Sequence, residues 1–353
     1  MNYILYDTED IDLFYPFTFT RPLSEMRLAS GTIREIWQNF LGEPVSCLSR
    51  SHLMELYPTK WGEKNVLINS AILPNDKNVQ NSFLFYKDKV TLDRVQKDFN
   101  NKIKLIKKNE QKINLQSNKD LLFEMFNHCG KLKSNYSETK NVFFDDSTGP
   151  IHIEENVQIM SGAMIKGPVY ICRGSTIKMG AKIYGPTVIG PQCKIGGEIS
   201  NCIFLGHSNK AHDGFLGHSI IGEWCNIGAG TSNSNLKNDY GEVKMWNYRL
   251  NKFVNTKMQF IGMFMGDHSK CSINSSFNTG TTIGLCCNLF GPGLHRNYIP
   301  SFSWGGTNGF KPYQFEKALD VAEIVMRRRN VEISKKYIKM FRNIHDNYCS
   351  WNL

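Results

Sequence analysis

No apolar stretch in the 353 residues approaches the roughly 18 that a membrane-spanning helix needs, so no membrane partner is expected. The sequence also lacks a repeated cysteine spacing. Its ten cysteines are scattered, and Cys202, Cys225, Cys271, Cys286 and Cys287 sit mostly inside apolar patterns. Reduced thiols follow, not a disulfide frame or a zinc site. The opening residues, MNYILYDTED, turn acidic after six positions. No secretory signal peptide is therefore expected, and the expected compartment is the cytoplasm. Helix-turn-helix and zinc-finger spacings are missing too. The net charge is nevertheless +10, and residues 86–140 hold thirteen Lys/Arg against seven Asp/Glu. Because aromatics do not alternate with those basic residues, the segment reads as a solvated face, and no nucleic-acid partner is expected.

What the sequence has is a repeat. Isoleucine recurs at Ile153, Ile159, Ile165, Ile171, Ile177, Ile183, Ile189 and Ile195, eight times in succession at a spacing of six. Two residues of slippage follow. The pattern then resumes at Ile203, Phe215, Ile221 and Ile227, with Asn209 in one expected apolar slot, and again at Met265, Cys271, Phe277, Ile283 and Leu289. A period of six is a multiple of the strand period of two but not of the helical 3.6. Three short strands and three turns then make one coil of a triangular prism, with Ile stacked on Ile inside each wall. Each buried aliphatic side chain contributes roughly 1.5–3 kcal/mol, so such a ladder can drive folding. A prism this narrow offers few deep pockets, which predicts a site where prisms meet in a closed homo-oligomer, expected to be a trimer.

The flanks read differently. Residues 2–6 and 65–73 have the pattern of buried strands, and residues 31–41 that of a helix, which suggests a small α/β unit. Residues 100–140 read as a lysine-rich linker or insertion. Residues 231–257 interrupt the repeat with a long polar excursion. Beyond Gly306 the apolar spacing fits one or two amphipathic helices containing Arg327, Arg328 and Arg329. These either brace the prism or meet a coenzyme phosphate. The expected domains are residues 1–140, 141–306 and 307–353.

His212, in the segment NKAHDGFLG, is the strongest local candidate for chemistry. An imidazole with an ordinary pKa near 6.5 suits proton removal at neutral pH. A hydrogen bond across a wall is the alternative role. The spacing of His207, His212 and His218 does not favour a metal cluster. Asn233 and Asn235, in NIGAGTSNSN, offer amide donors to a substrate oxygen.

FTFTRPL (17–23), TIREIW (32–37), KMGAKIYGPTVIG (178–190), SNKAHDGFLGHSIIGEWCNIGAGTSNSNLKN (208–238), MGDHSKC (265–271), FNTG (277–280) and IPSFSWGG (299–306) carry a family resemblance. With these motifs the chain resembles a Bacteroidetes-type variant of the bifunctional UDP-N-acetylglucosamine pyrophosphorylase/glucosamine-1-phosphate N-acetyltransferase family. The resemblance implies a reduced nucleotidyltransferase-like α/β domain, then a left-handed parallel β-helix of hexapeptide repeats, then C-terminal helices. It implies an N-acetyltransferase using acetyl-CoA on an amino-sugar phosphate in nucleotide-sugar and cell-envelope biosynthesis. His212 would be the catalytic base and Asn235 the substrate-contacting amide. Asn209, Lys210, Phe215, Asn233 and Lys244 make up the expected sugar- and acyl-CoA-binding set. Phe215 stands where the family has Tyr, and Ser200 and Asn201 stand where it has two phosphate-holding lysines, which Lys244 or Lys252 would replace.

The amino-terminal motifs match less fully. Leu28–Arg34 echoes the family's phosphate loop with too few glycines, and Asn69-Ser70 replaces its metal-holding Asp. Arg21 and Arg34 are the expected nucleotide-phosphate contacts. UTP and Mg²⁺ enter only where this domain is active, with Asp7 as the remaining metal ligand. Two other readings therefore stand beside the first. One is a sugar-1-phosphate nucleotidyltransferase whose β-helix only assembles the oligomer. The other is a non-catalytic sugar-nucleotide-binding scaffold.

Overall fold

The amino-terminal sheet grows from strands whose residues are apolar on both faces. β1 (Asn2–Tyr6), β2 (Val45–Leu48) and β3 (Asn65–Asn69) are parallel, and β4 (Leu84–Tyr86) closes the edge antiparallel to β3, in the order β2-β1-β3-β4. Ile4, Leu5, Leu67 and Ile68 are fully buried or nearly so. α1 (Ile33–Leu41) begins at a capping box: the Thr32 hydroxyl accepts from the Glu35 amide, and the Glu35 carboxylate accepts from the Thr32 amide. Its Trp37 is buried and donates its indole N–H to the Ile72 carbonyl at 2.9 Å.

These features belong to a computed structural model that describes residues 1–74, 80, 83–105 and 115–349. The chain divides into two units, residues 1–121 and 122–353. The lysine-rich segment is not the linker that its composition suggests, since it holds α2 (Leu92–Leu105) and α3 (Asn118–Cys129). Val95 and Phe99 on α2, and Leu121 and Met125 on α3, are buried, so each helix has an apolar face that the abundance of lysine hides. Residues 106–114 of the expected linker lie outside the described residues.

The second unit is a parallel β-solenoid with walls of nine, eight and five strands, the five-stranded wall continuing into a two-stranded pair. The isoleucine ladder is in register as its spacing predicts: Ile159, Ile177 and Ile195 pair in the nine-stranded wall, Ile153, Ile171 and Ile189 in the eight-stranded wall, and Ile165 and Ile183 in the five-stranded wall. Between Ile195 and Phe215 the phase expected from the sequence is off by one, and from Ile221 onward the expected positions pair in register again. Ile189 pairs with Phe204 and not Ile203, Ile199 with Leu216 and not Phe215, and Ile195 with Lys210 and not Asn209. The reason lies in the corners. Ile165 to Ile183 is a coil of 18 residues, but Ile195 to Lys210 takes only 15, so turns that shed residues shift which side chain points inward.

Two additions dress the solenoid. The polar excursion forms an antiparallel hairpin, Lys244–Asn247 with Lys252–Asn255, and its Trp246 stacks on Tyr298 at 4.0 Å. The carboxy-terminal segment forms α4 (Phe315–Arg327) and α5 (Lys335–Tyr348). These two helices cover a corner where His207 stacks on Trp224 at 4.1 Å, with His268 on the other side of Trp224. His268 Nε2 lies 2.9 Å from the Tyr337 hydroxyl, and Phe341 packs edge-on against the same ring. All ten cysteines are free and buried.

Candidate active site

The turn between the nine-stranded and five-stranded walls carries His212. It is exposed, and among the described residues its ring makes no hydrogen bond. The turn is fastened from inside the prism. Lys210, 0% exposed, occupies a ladder slot beside Ile195, and its ammonium donates to the carbonyls of His212 and Asp213. Burial pulls the Lys210 pKa down to about 8. Lys210 thus does not reach a ligand directly, against the expectation from the sequence. Asn209 faces outward, and its side-chain oxygen accepts from the Arg329 guanidinium at 2.8 Å, while the same guanidinium donates to the Gln192 carbonyl at 2.9 Å. Arg329 therefore braces the prism, the first of the two roles open to the arginine run.

A cationic patch adjoins the His212 turn. Lys194 is one coil from Asn209 in register, and Arg329, Lys178 and Arg328 together hold its ammonium below the usual lysine range, Arg329 and burial contributing most. Lys178 lies close under the turn: a Cβ added at Gly196 would stand 2.5 Å from the Ala211 carbonyl and 3.1 Å from the Lys178 Cβ. Among the described residues no carboxylate pairs with Lys178, Lys194 or Arg328.

The other expected residues gather at the far end of the five-stranded wall. Asn233 points inward opposite Phe277. Its side-chain oxygen accepts from the Gly217 amide at 2.9 Å, and its nitrogen donates to the Gly217 and Ser234 carbonyls. Asn233 is thus spent on backbone. Phe215 lies outward with its ring across Gly217, where any added Cβ would meet the ring at 2.5 Å. Asn235 Nδ2 stands 2.8 Å from Nδ1 of His218, which from the sequence is a neighbour of His212 and a weak candidate for a metal cluster. His218 stacks on Phe260 at 5.3 Å, and burial lowers its pKa to about 4, so the ring is neutral at pH 7. Lys244 belongs to the same corner, since the Gly262 amide bonds to the His218 carbonyl, the Gly280 amide to Gly262, and Gly280 abuts the Lys244 carbonyl. A groove of about 320 Å³ opens there, lined by Ser234, Lys237, Asp239, Asn278 and Thr279 among others. The three residues of the strand Phe215–Gly217 separate His212 from this corner, roughly 10 Å at about 3.3 Å per residue.

The amino-terminal unit offers less to a nucleotide. The loop expected to cradle phosphate is occupied by its own anion: Glu35 bonds the Thr32 amide, and a Cβ at Gly31 would lie 2.8 Å from the Glu35 carboxylate. Arg34 is ion-paired with Glu25, and Arg21 is buried with a bond to the Phe17 carbonyl at 3.4 Å. Asp7 is enclosed at 5% exposure. Its carboxyl accepts from the Ser49 and Ser70 hydroxyls and the Leu23 amide, and burial raises its pKa to about 6. A Mg²⁺ site needs open carboxylate oxygens, and these do not fit it. No cluster of three metal-ligating residues occurs among the described residues, and no helix there is long and apolar enough to cross a membrane.

A nucleotidyltransferase-like α/β unit followed by a hexapeptide-repeat solenoid is the class that the fold defines. Residues 3–128 match the family described as sugar nucleotidyl transferase, and residues 150–185 match the bacterial transferase hexapeptide repeat. The chain is 36% identical over 151 residues to a bifunctional sugar-1-phosphate nucleotidylyltransferase/acetyltransferase of Sulfurisphaera tokodaii, covering 42% of this chain and 37% of that one. It is 33% identical over 90 residues to the bifunctional protein GlmU of Methanocaldococcus jannaschii, covering 26% and 21%. The chain spans no more than 37% of the length of these curated relatives. Among solved structures, an Arabidopsis UDP-N-acetylglucosamine acyltransferase is similar at a TM-score of 0.27 and 12% identity, over 60% of this chain and 95% of that one.

Proposed function

We propose that the chain is an acyl-CoA-dependent N-acetyltransferase whose chemistry lies on the solenoid at His212, with an amino-sugar phosphate as acceptor. The observation that carries this reading is the exposed imidazole of His212 on a turn beside the cations Lys178, Lys194 and Arg328, none of which has a hydrogen-bonded or ion-paired side-chain partner among the described residues. Coenzyme A is polyanionic, and such a patch suits its phosphates.

In the proposed reaction the His212 imidazole takes a proton from the acceptor amine as that nitrogen attacks the thioester carbonyl. The carbon–sulfur bond then breaks, the amide forms, and the coenzyme leaves as a thiol after taking up the proton. A donor must meet the oxyanion of the tetrahedral intermediate. Asn235 of the same chain is a wall's width away, so a second copy would supply it by setting its Asn235 corner against the His212 corner. A closed homotrimer does this three times over.

The test follows free-thiol release from acetyl-CoA with glucosamine 1-phosphate as acceptor. Wild-type turnover that disappears in His212→Ala supports the reading, and full activity in that variant ends it. The match of residues 3–128 to sugar nucleotidyl transferases keeps a second reading in view. Pyrophosphate release from UTP, Mg²⁺ and a sugar 1-phosphate would establish it, in spite of the filled loop at Glu35.

A further inference from the structure

We infer that Lys210 is a positioning residue, whose ammonium inside the prism sets where the His212 imidazole stands. The inference rests on His212 being the base.

The slot that Lys210 fills is an aliphatic one. Ile195 lies directly against it in register, and Ile195 and Ile227 are both within 2% of full burial. An ammonium placed there without partners is strongly unfavourable, and an isoleucine would not be. Among the described residues no carboxylate forms an ion pair with the cation, although the Asp213 carboxylate is near enough to favour its charge. Both of its hydrogen bonds go to the carbonyls of His212 and Asp213, the two residues at the tip of the turn. Among the described residues the His212 carbonyl accepts from no other donor, whereas the Asp213 carbonyl also receives the Gly230 amide.

The surroundings are shaped to this arrangement. Gly197, at φ +75°, lies beneath, and a Cβ there would stand 2.7 Å from the His212 carbonyl, 2.8 Å from the Gly214 carbonyl and 3.0 Å from Lys210 Nζ. Room for the ammonium, its inward carbonyls and the glycine floor thus form one unit. Without the ammonium, the part-buried His212 carbonyl would be left without its donor, at a cost in free energy. The peptide relieves that cost by turning the carbonyl outward, and the rotation moves the His212 side chain. A displacement of about 1 Å at a reacting group costs on the order of 100-fold in rate.

The experiment uses the full chain with acetyl-CoA and glucosamine 1-phosphate, comparing wild type, Lys210→Met, His212→Ala and the double variant. In parallel, the rate at which diethyl pyrocarbonate modifies His212 is read by mass spectrometry. The expected result for Lys210→Met is a kcat lower by about 10- to 100-fold, a KM for acetyl-CoA within about two-fold of wild type, and a changed modification rate at His212. The double variant is expected to be no slower than His212→Ala alone, because the lysine acts through the histidine. Wild-type kcat and wild-type modification in Lys210→Met, with His212→Ala inactive, overturns the inference and leaves the base intact. An active His212→Ala instead removes the base, and the modification rate still reports whether Lys210 sets the imidazole. If Lys210→Met does not fold, Lys210→Gln, which keeps an amide donor, replaces it. Failure of both to fold overturns the inference, because the ammonium would then be holding the prism and not the turn.

Discussion

Nδ1 of His218 lies 2.8 Å from the Asn235 side-chain nitrogen, so the amide donates, Nδ1 accepts, and the imidazole proton resides on Nε2. Burial holds this ring neutral. The pair joins two corners of successive coils, and it has a consequence for stability.

The folded pKa of His218 is lowered to about 4, below the ordinary histidine value, so the unfolded chain takes up a proton more readily. Its contribution is fully present above about pH 6.5 and is lost as pH falls toward 4, a swing of roughly 3 kcal/mol. Burial lowers His207 and His295 in the same direction. Thermal unfolding followed from pH 7.5 to 4.5 is expected to show falling stability, with a shallower slope in His218→Asn. An equal slope in that variant would count against a neutral, buried ring.

Asp7 has the opposite sign. Its folded pKa is raised to about 6, so the folded state keeps a proton that the unfolded chain releases between about pH 4 and 6, and stability falls as pH rises through that window. Asp7→Asn retains an acceptor for Leu23 and Ser70 and adds no charge. It is expected to be as stable as wild type near pH 4 and more stable by roughly 1–3 kcal/mol at pH 7. Chelation of divalent ions is expected to leave the melting temperature unchanged. A fall of several degrees on chelation would make Asp7 part of a metal site.

His212 is exposed and its ring makes no hydrogen bond among the described residues, so its removal should not disturb the fold. His212→Ala is expected to lose about 100-fold or more in kcat while its unfolding free energy stays within roughly 0.5 kcal/mol of wild type. A loss of both together would make the residue structural.

Lys194→Ala and Arg328→Ala are expected to raise the KM for acetyl-CoA several-fold and to change kcat by less than about two-fold. The difference from wild type should shrink as salt is raised, because these charges are exposed and screened over about 8 Å at physiological ionic strength. A KM independent of both residues would detach the coenzyme from this face.

The six-residue period from Ile153 to Ile195 was enough to determine the prism, because a strand places every second residue inward whatever lies outside it, and the pairings follow that spacing. The helix at residues 33–41, the strands at 2–6 and 65–69, and the amphipathic character of the C-terminal segment were equally local and equally legible. Two kinds of information were not. The helices within residues 92–129 were masked by composition, since lysine crowds the solvent side of a face whose apolar half is sparse. The phase of the ladder between Ile195 and Phe215 was decided by how many residues each corner sheds, a property of coil stacking that no spacing records, whereas the positions from Ile221 onward follow the spacing. That single register step turned Lys210 inward and Asn209 outward, and it brought Asn235 to His218 and not to His212. A one-residue shift in a strand exchanges the two faces completely, so the sequence alone determined which side chains are available, and only the stacked coils decided which of them face solvent.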